Sequence, residues 1–160
     1  MTKRKLYALI LLLVLLGTVF SRGFDFTLPE PSAEPVQSED VTEEILAEDG
    51  WYYSAEDVAL YLSTYGYLPG NYITKDEARE LGWDGGSVEK YAPGKAIGGD
   101  KFGNREGLLP DKDGRVYYEC DIDTLNSDSR GAKRIVFSND GLIYYTSDHY
   151  ESFDLLYGEE

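Results

Sequence analysis

The chain has one histidine, His149, and one cysteine, Cys120, so its chemistry must come from a short list of groups. A single histidine cannot build a multi-histidine metal centre. A single cysteine excludes an internal disulfide framework and a multi-cysteine zinc site. As a nucleophile, Cys120 would have only that one histidine as its base. It also follows Glu119 in a run of β-formers, where neighbours face opposite ways. If Glu119 faces a cleft, Cys120 faces the core as a buried free thiol. Gly94-Lys95-Ala96 lacks the glycine spacing and the Ser/Thr of a phosphate-binding loop. Asp121-Ile122-Asp123 begins like a calcium loop, but Leu125 and Asn126 stand where an oxygen ligand and a turn glycine belong. What remains is an acid/base set that needs no metal and no cofactor: Glu119, His149 and the cations Lys75, Arg130 and Arg134. Each alone also has a plain reading, as a turn histidine, a solvated strand carboxylate or a surface cation. A cation such as Lys75 in a helix's first turn opposes the helix dipole, a small local cost that a phosphate would remove.

These residues need elements to position them. Ser54 with Asp57 caps a helix whose apolar face is Val58, Tyr61, Leu62 and Tyr65, stopped by Gly66 and Pro69. Thr74-Lys75-Asp76-Glu77 is a full capping box opening a second helix towards Leu81 and Gly82. A third short helix is expected over Ser87 to Tyr91. Runs of β-formers come next at Arg115–Asp123, Arg134–Ser138, Leu142–Ser147 and Tyr150–Leu155. Asn139-Asp140-Gly141 marks a hairpin, and Asp113-Gly114 a second turn. Helices first and antiparallel strands afterwards predict an α+β domain, with N-terminal helices packed on a C-terminal antiparallel sheet. Glu119 then lies mid-strand, and His149 in the turn between the last two strands.

Charge divides the rest. The 160 residues carry 15 basic and 30 acidic side chains, a net −15, which argues against a protein that coats nucleic acid through a basic surface but leaves room for a small basic cleft. Lys3, Arg4 and Lys5 precede an apolar run from Leu6 to Phe20, which reads as a secretory signal peptide or signal anchor over 1–21. Residues 22–53 are acidic, with Pro29, Pro31 and Pro35 close together, and read as a disordered linker or propeptide. The apolar patches at Ile45-Leu46 and Trp51-Tyr52-Tyr53 are able to dock onto the domain beyond them. Residues 54–154 form that domain, with 11 basic against 19 acidic side chains, and 155–160 an acidic tail.

Five ordered strings carry a resemblance: Leu68-Pro69-x-Asn71-Tyr72-Ile73-Thr74-Lys75, then Ala92-Pro93-Gly94-Lys95-x-Ile97-Gly98-Gly99-Asp100, then Asn104-Arg105-Glu106-Gly107, then Glu119-x-Asp121-Ile122, and Asp148-His149-Tyr150. From about Val58 to Phe153 the chain resembles the secreted bacterial guanyl-preferring ribonucleases of the barnase type. The resemblance implies an extracellular, monomeric endoribonuclease acting on single-stranded RNA 3′ of guanosine, through a 2′,3′-cyclic phosphate that water then opens. It implies Glu119 as base and His149 as acid, with Lys75, Arg130 and Arg134 around the phosphorane. It assigns guanine recognition to Phe102, Gly103, Asn104, Arg105 and Glu106, with Tyr150 a further stacking ring. Asp100 and Asp121 become supporting carboxylates that orient Lys75 and the arginines, and Arg115–Asp140 a buried structural ion pair. A barstar-like intracellular inhibitor is the implied partner besides RNA. Two departures stand out. The step from Asp121 to Arg130 is one residue longer than in the family pattern, and Ala132-Lys133 replaces a Ser-Asp pair. The alternative, a secreted or anchored binding module that keeps the fold without catalysis, predicts that one of the five acid/base and cationic residues is missing. None is.

Overall fold

The computed structural model describes residues 46–160; the expected signal segment and most of the acidic linker lie outside them. Helix α1 spans Ala55–Tyr65. The Ser54 hydroxyl accepts from the Asp57 N–H at 3.1 Å, and Gly66, at φ 78°, closes the helix by donating to the Leu62 carbonyl. Its buried face, with Val58, Ala59 and Leu62, packs on Cys120, Ile122, Ile135 and Ile143. Burial of each large aliphatic there contributes roughly 1.5–3 kcal/mol.

Helix α2, Lys75–Glu80, opens on the expected capping box at Thr74 and Glu77. The third expected helix is a single 3₁₀ turn, Val88–Lys90. Six strands take the order β1-β2-β3-β4-β5-β6 in one sheet: Tyr72–Ile73, Ala96–Phe102, Tyr117–Asp121, Arg134–Ser138, Ile143–Thr146 and Asp154–Tyr157. The first pair is parallel and the rest antiparallel. The architecture is the expected α+β one. The hairpin at 139–141 is also present, but of its three residues only Gly141 takes positive φ, at 100°. That matches the longer type I loop closed by a left-handed glycine rather than the two-residue primed turn.

Three boundaries differ from the sequence reading, each for a tertiary reason. Strand β1 is only two residues long and β2 has its β-formers interrupted by Gly98 and Gly99, so neither carries a local signal. The sheet requires Gly98: a Cβ there would lie 2.6 Å from both the Cys120 Cβ and the Tyr72 ring. The last strand begins at Asp154 rather than Tyr150, and it takes Leu155–Tyr157 out of the supposed tail into the sheet edge. Residues 46–53, assigned to the linker, belong to the packed unit. Tyr65 and Tyr61 donate to the carbonyls of Leu46 and Glu48 at 2.7 Å each. Asn71, fully buried, exchanges hydrogen bonds with the Tyr52 backbone, and the Asp123 N–H donates to the Tyr53 carbonyl. The apolar patch around Leu46 and Tyr52 outweighs the local acidity by docking on this tyrosine cluster.

Alternation along the strands divides the sheet into two working faces. Cys120, Ile135 and Ile143 face α1. Tyr117, Val136 and Tyr144 face the other way, with Phe102, Tyr150 and Phe153 against them. Glu119, two residues from Tyr117, shares that second face and pairs in register with Val136. Cys120 is therefore a core thiol: 1% exposed, with burial pushing it far above its ordinary range.

Candidate active site

Glu119 is an inward carboxylate only 8% exposed, which a strand can hold only if donors meet it. Two do. Lys75 Nζ lies 2.5 Å from Oε1, and the Tyr150 hydroxyl donates to Oε2 at 2.5 Å. Burial alone would raise this carboxyl; the hydrogen bonds from Lys75 and Tyr150, with the charges of Lys75 and Arg130, outweigh it and hold the group below its ordinary value. It stays an ionised, acceptor-only group at neutral pH. Burial first, then the bond to Glu119, pushes the Tyr150 phenol well above its ordinary range, so the phenol remains a donor.

Lys75 is placed twice. The α2 capping box sets its backbone at the helix start, where the first N–H groups have no partner within the helix. Asp100 takes up that of Lys75, accepting from it at 3.0 Å. Asp100 stands opposite Glu119 in the β2–β3 register, beside the irregularity at Gly98–Asp100 where Gly99 adopts φ 94°. One cross-strand pair thus holds the lysine, Asp100 on β2 by its backbone and Glu119 on β3 by its ammonium.

Asp121, two residues beyond Glu119 on the same face and 1% exposed, gathers the arginines. Arg130 forks onto it with Nε at 2.7 Å and Nη2 at 2.8 Å. Burial lowers the Arg130 guanidinium, but the bond to Asp121 together with the negative charges of Asp121 and Glu119 outweighs this and raises it above its ordinary value, so it is held charged. Arg134 Nε lies 2.9 Å from Asp121 Oδ1 without aligning its N–H, which has no acceptor among the described residues. Arg134 Nη1 is tied to the carbonyls of Arg130, Gly131 and Lys133. The extra residue between Asp121 and Arg130 leaves the fork intact, and Lys133 turns to Asp123 at 2.6 Å.

His149 sits exposed in the β5–β6 connection with its ring 4.8 Å from that of Tyr150. No hydrogen bond or ion pair among the described residues joins it to Glu119; Tyr150 meets both, its ring against His149 and its hydroxyl on the carboxylate. The loop after β2 is closed by Asn104, at φ 41°, whose side chain both donates to the Leu109 carbonyl and accepts from its N–H. Residues 101–106 and Glu119 together line one groove of about 440 Å³. A larger hollow of about 730 Å³ on the loop's other flank holds none of the acid/base set. Phe102 and Tyr150 rest against each other, ring centres 5.1 Å apart. Arg105 and Glu106 are exposed.

An ionised carboxylate lines that groove, with Lys75 bonded to it, Arg130 and Arg134 gathered on Asp121 two residues along the same strand, and an exposed imidazole against the Tyr150 ring; these are group types suited to moving a proton beside a polyanion. Residues 55–157 match the family model described as ribonuclease. The chain belongs to the ribonuclease family. It is 52% identical over 100 residues to a ribonuclease of Heyndrickxia coagulans, covering 61% of this chain and 91% of that protein. It is also 52% identical to a ribonuclease of Bacillus intermedius, covering 61% of each chain. A guanyl-specific ribonuclease St of Saccharopolyspora erythraea is 49% identical over 57 residues, 36% of this chain and 56% of that one.

Within this ribonuclease-family site, three features escape sequence reasoning. Tyr150 reads as a stacking ring, and nothing in the sequence places its hydroxyl on Glu119. Trp83, whose ring lies 5.8 Å from the Arg130 guanidinium carbon, carries no local sign of that role. Asp148 stands in the Asp-His-Tyr string without a role, although an Asx residue before a turn is itself a signal. The Arg115–Asp140 pair is present at 2.9 Å, with the arginine side chain 6% and the aspartate 29% exposed, so only its arginine is buried.

Proposed function

We propose that the chain is an endoribonuclease that cleaves single-stranded RNA 3′ of guanosine by metal-independent acid/base chemistry. The observation that carries this is Glu119, ionised between Lys75 and Tyr150 and opening into the groove of the 101–106 loop. RNA brings its own nucleophile, the 2′-hydroxyl beside each phosphate, so the protein need only move protons and offset charge. Glu119 takes the 2′ proton as that oxygen attacks phosphorus. The P–O5′ bond breaks, and His149 gives its proton to the departing 5′ oxygen. The product is a 2′,3′-cyclic phosphate, and the two residues exchange roles when water opens it. Lys75, Arg130 and Arg134 offset the charge of the five-coordinate phosphorus, and the unpartnered Arg134 Nε–H supports that reading. Acid/base placement of this kind contributes on the order of 10²–10⁴-fold in rate.

Guanine preference rests on Glu106, whose carboxylate suits N1–H and the 2-amino group, and on loop N–H groups able to donate to O6. Phe102 offers a ring face to the base and Arg105 steadies the loop, its side chain folded back towards Gly103. The guanyl-specific name of one relative favours the same preference. The basic, then apolar, N-terminus supports export, and the enzyme acts outside the cell as a monomer, restrained inside it by a barstar-like inhibitor that engages the same cationic site.

The test is the dinucleotide GpU with the full chain in excess EDTA, monitoring guanosine 2′,3′-cyclic phosphate by chromatography. The wild type forms it, His149→Ala does not, and ApU reacts more slowly. A folded wild type that binds RNA but makes no cyclic product overturns the assignment.

A further inference from the structure

His149 and Tyr150 are consecutive non-glycine residues in the left-handed region, at φ 61° and 75°. Such a pair is costly for L-residues and persists only where its surroundings over-determine it. Here the surroundings converge on one carboxylate. Asp148 Oδ1 accepts from the Thr146 hydroxyl at 2.8 Å and from the N–H groups of Glu151 and Ser152 at 3.0 Å each, while Oδ2 accepts from the Ser152 hydroxyl at 2.5 Å. Thr146, 1% exposed at the end of β5, in turn accepts from the Tyr150 N–H at 3.1 Å. The side chains of Asp148, Thr146 and Ser152 thus fasten the backbone on both sides of the strained pair to the sheet. They make no contact with the groove of the 101–106 loop.

We propose that Asp148 is a positioning residue: with Thr146 and Ser152 it holds His149 in the left-handed turn that aims its imidazole at the departing 5′ oxygen. This rests on His149 being the general acid. The role is geometric rather than electrostatic. An asparagine at 148 keeps an acceptor oxygen for Thr146, Glu151 and Ser152, and an amide donor for the Ser152 hydroxyl. An alanine keeps none.

The experiment compares two substrates in the full chain. GpU needs its 5′ oxygen protonated; guanosine 3′-(4-nitrophenyl phosphate) releases a phenolate that does not. His149→Ala sets the scale, expected to lose GpU turnover while retaining the aryl substrate. Asp148→Ala is expected to lower kcat for GpU by about 10²-fold, the order that a misplacement near 1 Å produces, with little change on the aryl ester. Asp148→Asn restores most of it. Ser152→Ala, which takes away one bond of the four and leaves the turn otherwise intact, shows a smaller loss with the same selectivity for GpU. Equal loss on both substrates overturns the proposal, since a partly unfolded variant fails on both. So does an Asp148→Asn variant as impaired as the alanine, because the charge would then be what matters. If the wild type cleaves neither substrate, or His149→Ala loses both alike, it is the acid/base reading that fails.

Discussion

The Tyr150 hydroxyl donates to Glu119 Oε2 at 2.5 Å while Lys75 Nζ engages Oε1 at the same distance, so each carboxylate oxygen has its own donor. The two donors differ in kind. Lys75 brings charge, whereas Tyr150 brings a neutral hydrogen bond and a ring against His149. One tyrosine therefore touches both members of the proposed acid/base pair.

Removing that hydroxyl has a signed consequence. In Tyr150→Phe, the burial of Glu119 is opposed by fewer donors and its carboxyl rises towards its ordinary value. The carboxylate base is then lost at a higher pH than in the wild type. The acid limb of kcat/KM for GpU is expected to move to higher pH, with the largest loss of rate on the acid side. A limb that stays in place would show that Lys75 alone governs Glu119.

Trp83 is 8% exposed and its ring nitrogen donates to the Gly86 carbonyl at 3.0 Å, which fixes the ring beside Arg130. Trp83→Leu should raise KM for RNA about two- to five-fold, the equivalent of ~0.5–1 kcal/mol for a cation over a ring. Trp83→Phe should recover most of that. Steady-state kinetics on a single-stranded oligonucleotide read the effect.

Arg115 and Asp140 lie away from the acid/base set and should matter to stability alone. The hydrogen bond from Arg115, then those from Ser138 and Lys112, hold the Asp140 carboxyl well below its ordinary 3.8. A depressed carboxylate contributes stability that is present above that ordinary value and is lost as pH falls through the folded one. Asp140→Asn is therefore expected to lower the melting temperature at neutral pH and leave GpU turnover unchanged. The gap from the wild type should close only in strongly acid solution. Thermal melts across that range check it.

Gly98→Ala should be destabilising by ~1–3 kcal/mol, as in other overpacked cores, because the new methyl meets Cys120 and Tyr72 at 2.6 Å. Since β3 carries Glu119 next to Cys120, activity should fall beyond what the unfolded fraction explains. Denaturant melts beside GpU kinetics separate the two effects.

Locally encoded elements were legible. Ser54 and Thr74 cap their helices through side-chain bonds spanning three residues, and Asn139-Asp140-Gly141 turns within its own span. The groups proposed for proton transfer could be picked out as well, since one histidine, one cysteine and a few ordered strings left little choice. What the sequence could not show lies between distant segments. Gly98 and Gly99 look like a loop until β3 closes on them. Residues 46–53 look like acidic spacer until Asn71 and the tyrosines of 61–67 receive them. The strained His149–Tyr150 turn exists because Thr146 and Ser152 share one carboxylate. The state of Glu119 belongs wholly to the tertiary structure: Lys75 comes from 44 residues before it and Tyr150 from 31 after. Local spacing determines which groups are available and which helices and turns carry them. Desolvation and charge pairing depend on which remote side chains share the same few ångströms, and only the folded sheet decides that.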